Sequence, residues 1–344
     1  MDIVTAPSLN VATDSERLAT DRWQHSLRDA IRTPEELCEV LQLPDAYCSA
    51  ARRSAETFQL FVPREYLAKI PPGDPEHPLL RQILPLAEER SSVEGFSRDP
   101  VGDGEALITA GLLQKYASRA LLVVTGACAV HCRYCFRRYF PYDSVPKGED
   151  AWQPALKKIA EDDSLDEVIL SGGDPWMLVD SRLQSLTEQI AQIPHIRRLR
   201  IHTRLPSMIP SRVTDALLHT LTGTRLKTIL VVHINHALEI DEPVALAVQK
   251  LVDSGTMVLN QSVLLRGVND SVFALESLCR ELVNLRVLPY YLHQLDRVEG
   301  SMHFEVGDSR AKELISALRS RLPGYAVPRL VRERAGGTSK EVLA

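Results

Sequence analysis

What most limits the fold of this chain is a regular alternation that begins after about Gly111. Apolar β-type runs occur at 121–125, 167–171, 198–203, 226–234, 256–264 and 286–292. Helical patterns follow them at 149–161, 181–193, 211–221, 244–253, 271–284 and 309–321. Strands alternating with helices build βαβ units, and right-handed crossovers lay those strands into a parallel sheet. Six units are too few for a closed eight-fold barrel. The expected architecture is an open, partial (β/α)6 TIM-like barrel, with its chemistry at the C-terminal ends of the strands.

The motifs obey that rule. A loop with three cysteines follows the first run, and Ser171-Gly172-Gly173-Asp174-Pro175 follows the second. Thr203-Arg204 ends the third, His233-Ile234-Asn235-His236 the fourth, Asn260-Gln261 lies on the fifth, and Tyr290 to Asp296 ends the sixth. Upstream, residues 1–14 are polar and unpatterned and read as a loose tail, and 15–55 reads as helical. Thr33-Pro34-Glu35-Glu36 places a cap, a proline at the first helical position and a glutamate in the first turn. The expected organisation is a mostly helical extension over 1–110, the barrel over 111–325 and a C-terminal segment over 326–344.

Cys128, Cys132 and Cys135 are spaced C-x3-C-x2-C directly after Leu121-Leu122-Val123-Val124. A strand that empties into a short loop can aim several thiolates at one point. Three thiolates suit an iron–sulfur cluster with one iron left open; zinc completed by His131, or plain packing, are the alternatives. The spacing favours the cluster, because structural zinc sites draw on two separated pairs. Cys38 and Cys279 fall in helical patterns and read as small buried hydrophobes.

Composition excludes more than it selects. A net charge of −5 and a pI of about 6.1 leave no electrostatic footprint for nucleic acid or an anionic membrane. No apolar run approaches the ~20 residues of a membrane helix, and the N-terminus shows no basic-then-apolar secretion signal. Clustered thiols without secretion point to a reducing, cytoplasmic setting.

Other residues stay open on composition alone. Lys340 follows Gly336-Gly337-Thr338-Ser339. A lysine near a terminus is normally solvated, yet the glycine pair permits a close turn that a plain tail would not require. Lys115-Tyr116-x-x-Arg119 is either a surface charge cluster or a phosphate grip. Arg137 and Arg138, just after the cysteines, suit a two-pronged hold on a carboxylate. Asp296 is a turn residue or the partner of a cation.

Together these residues resemble the lysine 2,3-aminomutase family, radical S-adenosylmethionine (SAM) enzymes that use pyridoxal phosphate (PLP). The resemblance runs from roughly Leu79 to Lys340. It rests on Asp99-Pro100-Val101-Gly102-Asp103, the Lys115 motif, C-x3-C-R-Y-C-F-R-R, S-G-G-D-P, His233-x-Asn235-His236, Asn260 to Asp270, Tyr290 to Asp296 and G-G-x-S-Lys340. The phrases K-Y-x-x-R-A-L-L-V-V-T-G, C-R-Y-C-F-R-R-x-F-P-Y and R-E-R-x-G-G-T-S-K are similar to the short forms of the family that serve elongation factor P (EF-P). The longer free-lysine mutases carry a further cysteine-bearing C-terminal segment, and an aspartate where Glu333 stands here.

The resemblance implies a barrel of radical SAM type and assigns roles. Cys128, Cys132 and Cys135 would hold a [4Fe–4S] cluster, and Gly172, Gly173 and Asp174 would lie along SAM. Lys340 would carry PLP, its phosphate meeting Lys115, Tyr116 and Arg119, with His233 and Gln261 lining the pocket. Arg137 would bind the α-carboxylate of L-lysine, and Asp296 and Glu333 would face its ε-ammonium. The implied partners are a flavodoxin- or ferredoxin-like reductant, EF-P and its lysyl ligase; a homo-oligomer is compatible with them. The rivals are a free β-lysine producer, a mutase of another amino acid such as glutamate (with a cation in place of Asp296), and a zinc-stabilised binding module.

Overall fold

The computed structural model describes residues 22–145, 148 and 150–344; the tail expected at 1–14 and the helical start at 15–21 lie outside the described residues. One sheet runs in chain order through β1 (Leu107–Thr109), β2 (Leu112–Tyr116), β3 (Arg119–Thr125), β4 (Glu167–Gly172) and β5 (Arg198–Thr203). It continues through β6 (Lys227–Val232), β7 (Met257–Val263), β8 (Leu288–His293), β9 (Arg329–Arg332) and β10 (Glu341–Val342). Every neighbouring pair from β3 to β9 is parallel. The β1–β2, β2–β3 and β9–β10 pairs are antiparallel.

The six expected units are all present. After α1 (Pro34–Leu41) and α2 (Asp45–Ala55), the crossover helices are α3 (Gln153–Ala160), α4 (Asp180–Ala191), α5 (Asp215–Thr222), α6 (Glu242–Asp253), α7 (Val272–Asn284) and α8 (Asp308–Arg319). Among the described residues no ladder joins β10 to β1, so the partial (β/α)6 barrel stays open. Helix starts follow short polar caps: Thr33, Thr214, Asp241 and Ser271 each accept an otherwise unpaired first-turn N–H. The fold adds a seventh parallel strand, β9, whose buried pair Leu330-Val331 is too short to show periodicity. It also places Lys115 and Tyr116 in β2 and Arg119 at the start of β3, across a turn where Ser118 takes φ 64°.

The N-terminal extension is part of the same core. Trp23, Ile31, Leu37, Tyr66 and Leu79 pack in one apolar cluster with barrel residues Leu122, Leu170, Ile201 and Leu230. Its backbone also grips the cysteine loop: the His131 N–H donates to the Phe61 carbonyl and the Arg133 N–H to the Gln82 carbonyl, both at 2.9 Å. Beneath the loop, buried Glu89 accepts from Arg133 Nε and Nη2 at 2.8 and 2.6 Å and from Arg138 Nη2 at 2.8 Å. Lys69 completes the attachment, its ammonium donating to the carbonyls of Ser207 at 3.0 Å and Glu239 at 2.8 Å.

Lys69→Met keeps the buried stem but leaves those two carbonyls without their donor. A buried acceptor without a partner costs about 1–3 kcal/mol. The variant is expected to unfold at lower urea concentration than the wild type; an unchanged midpoint would show that Lys69 ties nothing together.

Candidate active site

The strand ends surround a cavity of about 730 Å³. Around its wall stand Cys128, Cys132 and Cys135 from the loop after β3, and Gly172, Gly173 and Asp174 from the end of β4. Lys115, Tyr116 and Arg119 reach it from the β2–β3 hairpin, His233 from just after β6 and Gln261 from β7. Arg137, Asp296, Glu333 and Lys340 complete the set. Residues spread from 115 to 340 in sequence thus face one space.

The turn after β4 approaches the cysteine loop so closely that only glycine fits. Gly172 takes φ +125°, and a Cβ on Gly173 would sit 2.2 Å from the Ala127 carbonyl oxygen. The Gly173 and Asp174 N–H groups donate to the Thr125 and Ala127 carbonyls at 2.8 Å each. The Asp174 carboxylate turns into the fold, accepting from the Thr203 hydroxyl at 2.8 Å and the Arg204 N–H at 2.7 Å. Burial pushes its pKa up to about 6 despite those donors.

The three thiols are free. Burial, with mutual repulsion, raises Cys128 well above the ordinary thiol range and Cys135 to about 11. An added cation is what such a cluster of thiolates lacks, so the donor set fits iron. His131 does not join it; its Nδ1 lies 2.9 Å from the Gln59 carbonyl and its ring stacks on Phe58. Among the described residues no group of three or more His, Cys, Asp or Glu side chains is arranged to hold a single metal ion. Cysteines of a cluster each bind a different iron and need no such convergence.

Two carboxylates order the charged wall. Asp103, in a turn whose N–H is held by the Asp99 carboxylate at 2.9 Å, bridges the Lys115 ammonium and Arg137 Nε, both at 2.7 Å. Arg137 Nη1 also donates to the Ser171 hydroxyl at 3.0 Å. Each Nη carries two hydrogens, so the guanidinium can still meet a carboxylate. On the other side, the Glu333 carboxylate accepts from both the Lys340 ammonium and the Tyr116 hydroxyl. The register explains this: Glu341 pairs with Arg332 across the β9–β10 ladder, so Glu333 and Lys340 are the next opposed pair. Burial works against ionised Glu333, but Lys340 and Tyr116 hold its pKa below the usual carboxylate value. Arg119 lies 4.6 Å over the Tyr116 ring.

Asp296 is the anion without such a partner. Burial pushes its pKa up to about 7, with the Lys340 ammonium pulling against that rise and the Glu333 carboxylate adding to it. His233 is joined by His202, Nδ1 to Nε2 at 3.1 Å, and by His293 in the same wall. Burial foremost holds all three below the ordinary imidazole value, His233 at about 4, so they are neutral hydrogen-bonding groups. Sequence reasoning had no role for Asp103, His202, His293 or Arg204. Their only signal was position, at a strand end or in the Asp99–Asp103 turn.

The chain is similar to L-lysine 2,3-aminomutase of Escherichia coli, 46% identical over 93% of this chain and 94% of that protein. The Haemophilus influenzae L-lysine 2,3-aminomutase is 44% identical over 94% and 95%. The chain belongs to the lysine 2,3-aminomutase family. Its members are isomerases that use a [4Fe–4S] cluster, SAM and PLP. The Clostridium subterminale L-lysine 2,3-aminomutase is 34% identical over 92% of this chain and 76% of that protein. No protein-family model matches the chain. Among solved structures, a radical SAM methyltransferase from Sphaerobacter thermophilus is 19% identical, with a TM-score of 0.46 over 65% of this chain and 69% of that one. Among the described residues no helix is long and apolar enough to cross a membrane.

The residues fit the family's cofactors: three thiols for the cluster, a side-chain-free turn beside them for SAM, and a lysine at the cavity wall for PLP. Gly173→Ala must push the cysteine loop away from β4. It is expected to take up well below the wild-type iron and sulfide on anaerobic reconstitution. Gly324→Ala, where nothing lies within 4 Å, should load normally. Full loading of Gly173→Ala would show that this contact does not shape the cluster loop.

Proposed function

We propose that this protein converts L-α-lysine to β-lysine in the cytoplasm, and that the product is destined for attachment to EF-P. The observation that carries the reading is one cavity holding the three cysteines, Lys340, an arginine for a carboxylate and an unpaired carboxylate, Asp296. When bound, the cluster with SAM supplies a hydrogen-abstracting radical, and PLP the electronic path by which nitrogen moves from carbon 2 to carbon 3.

The chain's own residues bind, orient and enclose. Cys128, Cys132 and Cys135 would hold the cluster, and Gly172 and Gly173 offer bare backbone along SAM. Lys340 would carry PLP, with Arg119, Lys115 and Tyr116 toward its phosphate and His233 and Gln261 along the ring. Arg137 would grip the substrate carboxylate, its plane fixed by Asp103 and Ser171. Asp296 would face the ε-ammonium. Glu333, already shared by Lys340 and Tyr116, would support that end from beside Asp296. The half-buried walls of the cavity fix these groups within reach of one another.

EF-P as the destination is supported by the phrases C-R-Y-C-F-R-R-x-F-P-Y and R-E-R-x-G-G-T-S-K, which resemble the forms serving that factor. A separate ligase would attach β-lysine, and a flavodoxin- or ferredoxin-like donor would supply electrons. Mass spectrometry of EF-P from cells with and without this gene tests it: loss of the β-lysyl mass on deletion is expected, and an unchanged EF-P would refute it.

Substrate choice tests the pocket. Removing one partner of a buried ion pair costs roughly 3–5 kcal/mol, which is two to three powers of ten or more in kcat/KM. Asp296→Asn should lose that much lysine turnover, with iron and PLP content unchanged. Norleucine, uncharged at its far end, should be a poor substrate for the wild type. The pH profile carries a sign of its own. Asp296 must be ionised to face an ammonium, and its carboxyl is protonated below about 7. Lysine KM should therefore rise roughly tenfold per pH unit below that value, and this rise should vanish in Asp296→Asn. Preference for glutamate, or an unaffected mutant, would defeat the assignment.

A further inference from the structure

Arg204 lies directly after β5, and its buried guanidinium donates from Nη1 to the sulfur of Cys132 at 2.7 Å. The same nitrogen reaches the Tyr134 hydroxyl at 2.7 Å, while Nη2 donates to Gln82 Oε1 at 2.7 Å and Glu239 Oε2 at 3.2 Å. Asn235 ties the frame together, its Nδ2 donating to the Tyr134 hydroxyl at 2.6 Å and to Gln82 Oε1 at 3.0 Å. Arg204 is 7% exposed and Glu239 is fully buried. The guanidinium plane is therefore pinned from Gln82, in the extension, and from Glu239, after β6. The Nη1 edge is the one that faces Cys132, and Nε has no partner.

We propose that Arg204 is a positioning residue that sets the reduction potential of the iron–sulfur cluster through its N–H to the Cys132 sulfur. The inference rests on reading the three cysteines as cluster ligands. One electron from a low-potential donor converts the oxidised to the reduced cluster, adding one negative charge that spreads onto the ligand sulfurs. A cationic N–H on one of those sulfurs stabilises the reduced form more than the oxidised one, because hydrogen bonds to charged acceptors are the strong ones. Burial of the guanidinium strengthens the effect, since little water competes for its N–H groups and its charge is weakly screened. Glu239 moderates it by drawing part of the guanidinium charge toward Nη2. The partner that orients Arg204 is thus also a counterweight to its action.

Two measurements on the reconstituted, full-length protein test this. The first is a redox titration followed by the paramagnetic signal of the reduced cluster. Arg204→Gln, loaded with wild-type iron and sulfide, is expected to have a more negative midpoint. Arg204→Lys keeps the charge on one rotatable ammonium and should shift in the same direction but less. A fully loaded Arg204→Gln with the wild-type midpoint would overturn the inference while leaving the cluster reading intact. The second needs no variant to fold: electron–nuclear double resonance on the reduced wild type should show a strongly coupled proton that exchanges in deuterated buffer. Its loss in Arg204→Met, which has no N–H to offer, would assign it to the guanidinium. Its absence from the wild type would overturn the inference. A wild type that takes up zinc and no iron would overturn the cluster reading as well.

Discussion

One buried carboxylate holds the cysteine loop in place. Glu89 binds the guanidinium of Arg133 through two nitrogens and that of Arg138 through one, with both arginine side chains almost wholly enclosed. The two cations share one anion and spread further N–H groups over carbonyls: Arg133 Nη1 reaches those of Phe58 and Gln59, and Arg138 Nη1 those of Arg133 and Gly300, while Arg138 Nε is left without a partner. Both arginines belong to the C-R-Y-C-F-R-R segment itself. The loop therefore carries its own anchors, and the N-terminal extension supplies the anion. Removing that anion would strand two buried charges, which is costly well beyond a single lost hydrogen bond. This is why the extension shares a core with the barrel: the cysteines could not be aimed without it.

From that fixed loop the cavity is filled by opposed charges. Asp103 is shared by Lys115 and Arg137 on one wall, and Glu333 pairs with Lys340 on the other. Both pairs are local. The first follows from a turn packed against the β2–β3 hairpin, the second from the register of β9 and β10. Asp296 is left over, and with its pKa raised by burial to about 7 it is only partly ionised at neutral pH until a cation joins it. Asp296 thus lacks a direct cationic partner in the cavity wall, which an incoming ammonium would supply. The neutral imidazoles of His202, His233 and His293 add hydrogen-bonding edges without changing that balance.

The alternation of apolar runs and helical patterns was enough to read β3 to β8 and the six crossover helices, with ends displaced by a few residues at most. Period-2 and period-3.6 patterns survive in sequence because each element buries one face. β9 and the β1–β2 hairpin escaped, being too short for a period to show. The expected site residues were legible as residue types at strand ends, and all of them reach one cavity. What could not be read was which of them the protein itself engages. Lys115 and Arg137 meet on Asp103, Asp174 turns inward to Thr203 and Arg204, and Glu333 is shared by Lys340 and Tyr116.

By itself the sequence determined the fold class, the three thiols on one loop, the glycine turn beside them and the chemistry of each candidate. Those are properties of local spacing, strand period and residue type. Tertiary structure alone decided partnership and charge: that Glu89 would anchor Arg133 and Arg138, that Arg204 would meet Cys132, and that Asp296 would be left unpaired. Such pairings join residues far apart in the chain, and their strength depends on burial, which no run of neighbouring residues encodes.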